Sequence, residues 1–314
     1  MNICVLGGSG FVGTELVTRL VYAGHWVRVP TRNLADADRL RVLDTAELRA
    51  ANVHDKRVLA QLFADCSAVI NLIGILNEHG RDSFAMVHTE LAAKVMAAAR
   101  GAGVRRVLHM SSLGASAQAP SRYLRSKAAA EAAVRALPAA DQPQPAVTVF
   151  RPSVIFGAHD SLTNRFAQLL RMSGGVLPLA RARARFAPIS VLDVAEAFVR
   201  ALTLPASAGA TYELCGPEVL TLEQIVRLTA RSAGLPCHIF KLPDLLARLQ
   251  GAVMGLLPGK PFSLDNFRSL TVDSVCRENG CAALGIVPRP MLAELPLYLA
   301  PSRAHLQPDL HLPD

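Results

Sequence analysis

Along the first half of the chain, short runs of apolar residues alternate with longer segments whose apolar positions recur every three or four residues. Asn2–Leu6 is such a run; glycines follow it, and then Glu15–Tyr22 carries helical spacing. Further runs lie at His25–Pro30, Leu48–Asn52, Val69–Ile75, Arg106–His109 and Val147–Arg151, with helical patterns around Lys56–Ala64, Val87–Arg100 and Lys127–Ala136 between them. Strands that alternate with helices predict a parallel sheet covered on both faces. A strand buried on both faces reads as one continuous apolar stretch, and Ala68-Val69-Ile70-Asn71-Leu72-Ile73 does so.

Beyond residue 152 the pattern loosens, with proline and glycine punctuation and strong helical spacing only near Val194–Leu202, Leu222–Ala233 and Asp244–Leu257. The expectation is an α/β, doubly wound parallel-sheet Rossmann fold with a smaller, irregular C-terminal substrate-side region. Residues 1–152 form the dinucleotide-binding part, with 187–208 returning to it. A discontinuous substrate-side region occupies the rest of 153–300, and 301–314 is a polar, proline-bearing tail expected to be flexible.

Composition narrows the functional classes. The chain has 314 residues, of which 51% are hydrophobic and 18% charged, too apolar for global disorder. No stretch of about 20 residues runs apolar without a charge or a proline, which argues against a membrane span. The net charge of +8 rests on arginine, and favours anionic partners such as phosphates or acidic lipid. Aromatic content is only 5% and no basic block carries interleaved aromatics, so no nucleic-acid partner is expected. The six cysteines form no CxxC and no zinc-spaced His/Cys set, so no metal site is expected. They read as reduced thiols of a cytosolic compartment. Met1 leads straight into the first strand with no basic region before it, which points to a cytoplasmic location.

The chemistry begins at Leu6-Gly7-Gly8-Ser9-Gly10-Phe11-Val12-Gly13, between the first strand and the first helix. It fits both GxxGxxG (Gly7, Gly10, Gly13) and GxGxxG (Gly8, Gly10, Gly13). A pyrophosphate requires this arrangement: a tight turn, backbone without Cβ at the contact, and a helix N-terminus aimed at the charge. An NAD-binder places an acid about 20 positions on, at the end of the second strand. Here Val29-Pro30-Thr31-Arg32-Asn33 ends that strand and the first acid is Asp36. Arg32 instead suits a 2′-phosphate, with Thr31 as a further donor and Arg28 a poorer candidate, so NADP(H) is favoured over NAD(H).

Tyr123-Leu124-Arg125-Ser126-Lys127 is YxxxK, and on a helix those two side chains share a face. The ammonium can then lower the phenol pKa and hold a ribose. The pair follows Val107-Leu108-His109-Met110-Ser111-Ser112, a strand ending in hydroxyls at its carboxyl end, where open α/β sheets bind ligands. Ser112 could bond a substrate carbonyl while Tyr123 passes a proton.

Together these residues resemble the short-chain dehydrogenase/reductase superfamily, in its extended or atypical branch. The resemblance extends to Arg151-Pro152-Ser153-Val154-Ile155-Phe156-Gly157, to Phe186–Ala195 and to Tyr212–Glu218, and covers about residues 1–300. Within the branch, Pro30–Asn33, Asn71–Gly74, His109–Ala115 and Tyr123–Lys127 are most similar to the nucleotide-binding accessory subunit of respiratory complex I and its bacterial homologues. The eukaryotic members of that group hold NADPH as a structural element; the bacterial ones are reductases or epimerases without a settled substrate. The resemblance implies Ser112, Tyr123 and Lys127 as catalytic residues. It implies Gly7, Gly10, Phe11, Val12, Gly13, Arg32, Asn33, Asp55, Gly74, Tyr123, Lys127 and Pro152 as cofactor contacts, Asp55 near the adenine. Many relatives lack a hydroxyl at the position of Ser112, so the catalytic set here is more complete than a structural role requires.

Two features raise a partner. Leu245, Leu246, Leu249 and Val253 recur at helical spacing, suiting either a helix packed on the core or one lying on a membrane beside Arg248 and Lys260. Arg181-Ala182-Arg183-Ala184-Arg185 would place three guanidinium groups on one side if extended, as a phosphate clamp, a lipid contact or a solvated strand face. His79, His88 and Asp82 line the expected cleft without metal spacing. Two readings therefore stand: an NADP(H)-dependent oxidoreductase or epimerase acting on an unknown small molecule, or a non-catalytic scaffold associated with a respiratory or quinone-related assembly. The second would place the protein peripherally at the inner face of the membrane.

Overall fold

A computed structural model describes residues 1–136, 144–255 and 262–300. The strands are β1 (Asn2–Leu6), β2 (Trp26–Thr31), β3 (Ala46–Ala50), β4 (Ala68–Asn71), β5 (Arg106–Met110), β6 (Ala146–Pro152), β7 (Ile155–Phe156), β8 (Val176–Ala180), β9 (Arg185–Phe186), β10 (Ile189–Ser190), β11 (Thr211–Leu214), β12 (Leu220–Thr221) and β13 (His238–Leu242). The helices are α1 (Phe11–Tyr22), α2 (Lys56–Phe63), α3 (Leu91–Gly101), α4 (Arg122–Arg135), α5 (Thr163–Met172), α6 (Val191–Thr203), α7 (Leu222–Ser232), α8 (Asp244–Met254), α9 (Leu264–Ser269) and α10 (Met291–Leu299).

Seven strands form one sheet in the order β11-β6-β5-β4-β1-β2-β3, every neighbouring pair parallel. This is the doubly wound architecture that the strand–helix alternation predicts. The period of two along β1 builds its two cores. Ile3 and Val5 face Leu16, Leu20 and Phe198 of α1 and α6, while Cys4 and Leu6 face Leu59, Phe63, Leu91 and Val95 of α2 and α3. The chain order reverses between β1 and β4, so the crevice at their carboxyl ends is the switch point where ligands of such sheets sit.

Local chemistry sets the element ends. Strand β4 stops at Asn71 because its Oδ1 accepts the N–H of Ile73 and turns the chain. Helix α4 starts five residues ahead of the Lys127 onset read from periodicity. Ser121 caps it, accepting the N–H of Leu124, so Tyr123 lies within the first turn. The return to the sheet runs further than 187–208, because Thr211–Leu214 pairs with β6.

Three expectations are corrected. Cys215 and Cys276 are joined as a disulfide, with Cα atoms 6.0 Å apart, so only Cys4, Cys66, Cys237 and Cys281 are free thiols. A pairing across 61 residues leaves no spacing signal; it forms because residues 274–281 fold back onto the end of β11, where Asn279 also brackets Cys215. The Arg181–Arg185 alternation is not one extended face. Arg181–Arg183 is a turn, Arg181 pairs with Asp244 and lies over the Phe267 ring, and Arg185 pairs with Asp273. In α8 the small residues Ala247 and Gly251 face inward, while Leu245, Leu246, Leu249 and Val253 are 79%, 50%, 60% and 55% exposed. The apolar stripe points to solvent because the neighbouring α9 and Phe267 take the side without bulk. The expected end of that helix at Leu257, Lys260 and the 301–314 tail lie outside the described residues.

Candidate active site

The glycine turn is built for close approach. Gly7 adopts a φ of +79°, and Gly10 N–H donates to Gly7 O at 3.1 Å. A Cβ on Gly13 would lie 2.1 Å from Gly7 O and 2.6 Å from Gly8 Cα, so only glycine lets α1 pack directly on the turn. The N-cap of α1 is Gly10, with no side-chain cap and no acid in the first turn. The positive end of the helix is therefore left for an anion, which fits a dinucleotide pyrophosphate. Val12 is buried in the core beneath the turn and Phe11 lies against Gly157. A cavity of about 340 Å³ adjoins the turn, bounded by Ser9, Thr14, Asp36, Arg39 and His159.

At the end of β2, Thr31 is buried and its hydroxyl donates to Asn33 O, while Asn33 Oδ1 accepts Ala35 N–H to start the helical turn Leu34–Leu40. Arg32 is 85% exposed, and among the described residues its one ion pair is with Asp82 at 3.4 Å, which leaves it able to turn toward an anion. Arg28 is committed elsewhere, bonded to Glu47 and to the carbonyls of Leu62 and Ala64. Asp55 caps α2 by accepting Arg57 N–H on Oδ1, which leaves one oxygen for another partner.

Ser112, Tyr123 and Lys127, expected from the sequence as catalytic residues, come together at the carboxyl ends of β4 and β5. Burial raises the Tyr123 phenol pKa, and the Ser112 hydroxyl beside it partly opposes that rise; Ser112 Oγ itself donates to Leu113 O at 3.3 Å. Lys127, one turn on, is 4% exposed, and its ammonium donates to Met110 O at 2.8 Å. Burial lowers its pKa to about 8, opposed by Glu131 one further turn along. Glu131 in turn holds a two-point pair with Arg151. The phenol is thus held neutral by burial rather than drawn down by Lys127, whose Nζ is turned onto the end of β5. Gly74, after β4, lies beside this group: a Cβ there would be 3.4 Å from both Lys127 Nζ and His88 Nε2. Pro152 is buried where β6 ends, and its carbonyl accepts Leu113 N–H next to Ser112.

Behind the pair lie His88, which the sequence placed in the cleft without a role, and His109, which it did not single out. His88 sits in a wide helical turn, Ala85–Glu90, preceding α3. Its Nε2 accepts Ile75 N–H, its Nδ1 bonds Ser126 Oγ at 2.7 Å, and Ser126 donates on to Tyr123 O. The ring also meets Tyr123 edge-on at 5.8 Å and stacks on Phe84. His109, on β5, accepts from Asn71 at Nδ1 and leaves Nε2 buried without a partner among the described residues. Burial, then the nearby Lys127 charge, lowers both imidazoles to about 3, so both are neutral at physiological pH. For His109 the one sequence signal is a histidine on an otherwise apolar strand.

A glycine-turn crevice at the switch point with a Ser–Tyr–Lys group on its rim defines a dinucleotide-binding protein of the short-chain dehydrogenase/reductase type. The chain belongs to the NAD dependent epimerase/dehydratase family, whose model matches residues 3–215. Among curated proteins it is 32% identical over 291 residues to the Arabidopsis thaliana mitochondrial NADH dehydrogenase [ubiquinone] 1 alpha subcomplex subunit 9, covering 88% of this chain and 71% of that one. It is 31% identical over 242 residues to a Caulobacter vibrioides ceramide reductase, covering 77% and 74%. A solved Bacillus cereus UDP-glucuronic acid 4-epimerase superposes with a TM-score of 0.74 at 14% identity, over 95% of this chain and 99% of that one. A Thermotoga maritima UDP-glucose 4-epimerase gives 0.70 at 16%, over 95% and 97%. These structures share the fold. The chain is an NAD(P)-binding protein of oxidoreductase/epimerase type, and its relatives include subunits of respiratory complex I.

Proposed function

We propose that this protein is an NADP(H)-dependent reductase or dehydrogenase, in which Tyr123 is the acid/base, Ser112 orients the substrate oxygen, and Lys127 holds the nicotinamide ribose. The observation that carries this reading is the placement of Ser112 beside the buried Tyr123 phenol, with the Lys127 ammonium one turn away, at the mouth of the glycine-turn crevice. Residues 1–152 with 187–214 hold the dinucleotide, and the remainder of 153–300 covers the substrate. Gly7, Gly10, Phe11, Val12 and Gly13 take the pyrophosphate, Arg32 and Asn33 the 2′-phosphate, Asp55 the adenine side, and Gly74 and Pro152 the nicotinamide side. The bound dinucleotide supplies or accepts the hydride. The chain supplies the proton: the neutral Tyr123 phenol donates to the substrate oxygen in reduction, with Ser112 holding that oxygen in line.

The first test is to purify the protein without added nucleotide, denature it, identify what is released by mass spectrometry, and measure exchange with labelled NADPH and NADH. Release of NADP(H), or rapid exchange with NADPH preferred, supports the NADP(H) assignment; recovery of NAD(H) alone refutes it. Retention without exchange over hours refutes turnover. The ceramide reductase relative makes ceramide-type lipids the first substrate class to screen. Tyr123→Phe must abolish any reduction found.

A second reading, a nucleotide-holding subunit seated peripherally on a membrane, is favoured by the outward face of α8. Four large apolar side chains there lie beside Arg248, and α9 adds Arg268; neither arginine has an ion-pair partner among the described residues. Anionic lipid matches both the apolar face and the charge. No helix among the described residues is long and apolar enough to cross a bilayer, so attachment would be at the surface. Co-flotation with phosphatidylglycerol vesicles, absent with phosphatidylcholine and lost in Leu245→Glu/Leu249→Glu, supports attachment. Equal recovery without vesicles refutes it.

A further inference from the structure

We propose that Asp265, from the C-terminal region, is a positioning residue that sets both the place and the proton affinity of Tyr123. This rests on the reading of Tyr123 as the acid/base. Asp265 lies in α9, 142 residues from Tyr123 in the chain, yet its two carboxylate oxygens accept the backbone N–H groups of Arg122 (2.7 Å) and Tyr123 (2.9 Å). Those are the first two N–H groups of α4, which a helix cannot satisfy from within. Ser121 takes the next ones, its Oγ accepting Leu124 N–H and its carbonyl accepting Arg125 N–H. The start of the acid/base helix is therefore closed by two residues from different parts of the chain, and only Asp265 brings a charge.

Helix α9 is held in turn. Ser263 and Asn266 form a reciprocal cap at its start. Ser263 Oγ also donates to Asn77, and Asn266 Nδ2 to Leu76 O, on the loop that follows β4 and Gly74. One short helix thus clamps the Tyr123 helix to the loop on the cofactor side of the crevice. The positive end of α4 favours a phenolate on Tyr123, and the Asp265 carboxylate laid across that end opposes it. The other charged or titratable groups around Tyr123 are Lys127 on its own helix, His88 from the Ala85–Glu90 turn, and the Arg122–Glu78 pair at the rim. None of these caps the helix.

The test reads the phenol directly and needs no substrate. The full chain is made with its four tyrosines as 3,5-difluorotyrosine, whose phenol ionises near neutral pH, and titrated by ¹⁹F NMR; the signal lost in Tyr123→Phe identifies the residue. Asp265→Asn keeps one acceptor oxygen and removes the charge. The expected result is a titration midpoint lower by about half a pH unit or more, from a unit charge lost within roughly one side-chain length. Asp265→Glu is expected to restore it. An unchanged midpoint in both Asp265→Asn and Asp265→Ala overturns the proposal, as does a shift that Asp265→Glu leaves in place. Should Asp265→Ala fail to fold, the Asn and Glu variants decide alone. A wild-type chain that binds no NADPH would sink the reductase reading while leaving this titration readable.

Discussion

Replacing Lys127 by methionine should stabilise the protein at neutral pH while ending its capacity to hold the dinucleotide. Lys127 is 4% exposed, and burial lowers its pKa from 10.5 to about 8. The sign follows from linkage: the unfolded chain binds the proton more tightly, so a protonated Lys127 favours unfolding. A difference of 2.5 units at 1.36 kcal/mol each makes this penalty about 3 kcal/mol. It is fully present below pH 8 and fades between pH 8 and 10.5. Lys127→Met keeps the length and removes the charge, but loses the hydrogen bond to Met110 O, which costs about 1 kcal/mol. Glu131 keeps Arg151 and is not orphaned. The net expectation is a gain of about 2 kcal/mol at pH 7, read as a higher urea midpoint with unchanged slope, together with a large loss of NADPH affinity. By pH 10 most of the gain should be gone. A variant less stable than wild type at pH 7, or a difference that stays flat from pH 7 to pH 10, would refute the reasoning.

Four further outcomes are expected. Gly13→Ala places a Cβ 2.1 Å from Gly7 O, a backbone atom that cannot step aside, so thermal melting should show a loss of about 2 kcal/mol or more and dinucleotide binding should fail. Arg32→Ala should weaken NADPH binding about 10- to 100-fold in a fluorescence titration and leave NADH nearly unchanged; equal losses for both would remove the 2′-phosphate assignment. Arg289→Ala takes the guanidinium from the buried Asp193 carboxylate and leaves it only the backbone N–H of residue 289. Chemical denaturation should show a cost of about 2 kcal/mol, less than a fully buried pair would lose because the Arg289 side chain is itself 44% exposed. Cys276→Ser opens a bridge spanning 61 residues and should cost up to about 4 kcal/mol by chain entropy. Reductant should lower the wild-type melting temperature toward that of the variant and leave the variant unmoved.

Much of the architecture is legible in the order of residues alone, because its signals are local. The apolar run of β4 is buried on every residue, as a parallel strand covered on both faces must be. The glycine turn is recognisable because a tight bend, a close approach and a helix start are all properties of a few consecutive residues. Tyr123 and Lys127 share a face because four residues make about one helical turn. Element ends were harder to place. Where α4 begins depends on the Ser121 cap, and where β4 ends depends on the Asn71 side chain, and neither alters the hydrophobic period.

The remainder depends on contacts between distant parts of the chain. An amphipathic helix reveals that it has an apolar face, but which face is covered depends on its neighbours; in α8 the packing of α9 and Phe267 selects Ala247 and Gly251 and leaves the leucines outside. An alternation of arginines suggests a strand, yet pairing partners for one exist only at the start of β9, so the segment turns. Cys215 meets Cys276, and Asp265 reaches Tyr123, across 61 and 142 residues, with no periodicity to announce either contact. His109 becomes a buried, half-satisfied imidazole only once β5 lies between β4 and β6. Residue spacing and backbone sterics act over a few positions, and they suffice for the fold class, the dinucleotide turn and the Tyr–Lys pair. Charge state, capping across regions and surface exposure are properties of the surroundings, and the surroundings exist only after the chain has packed.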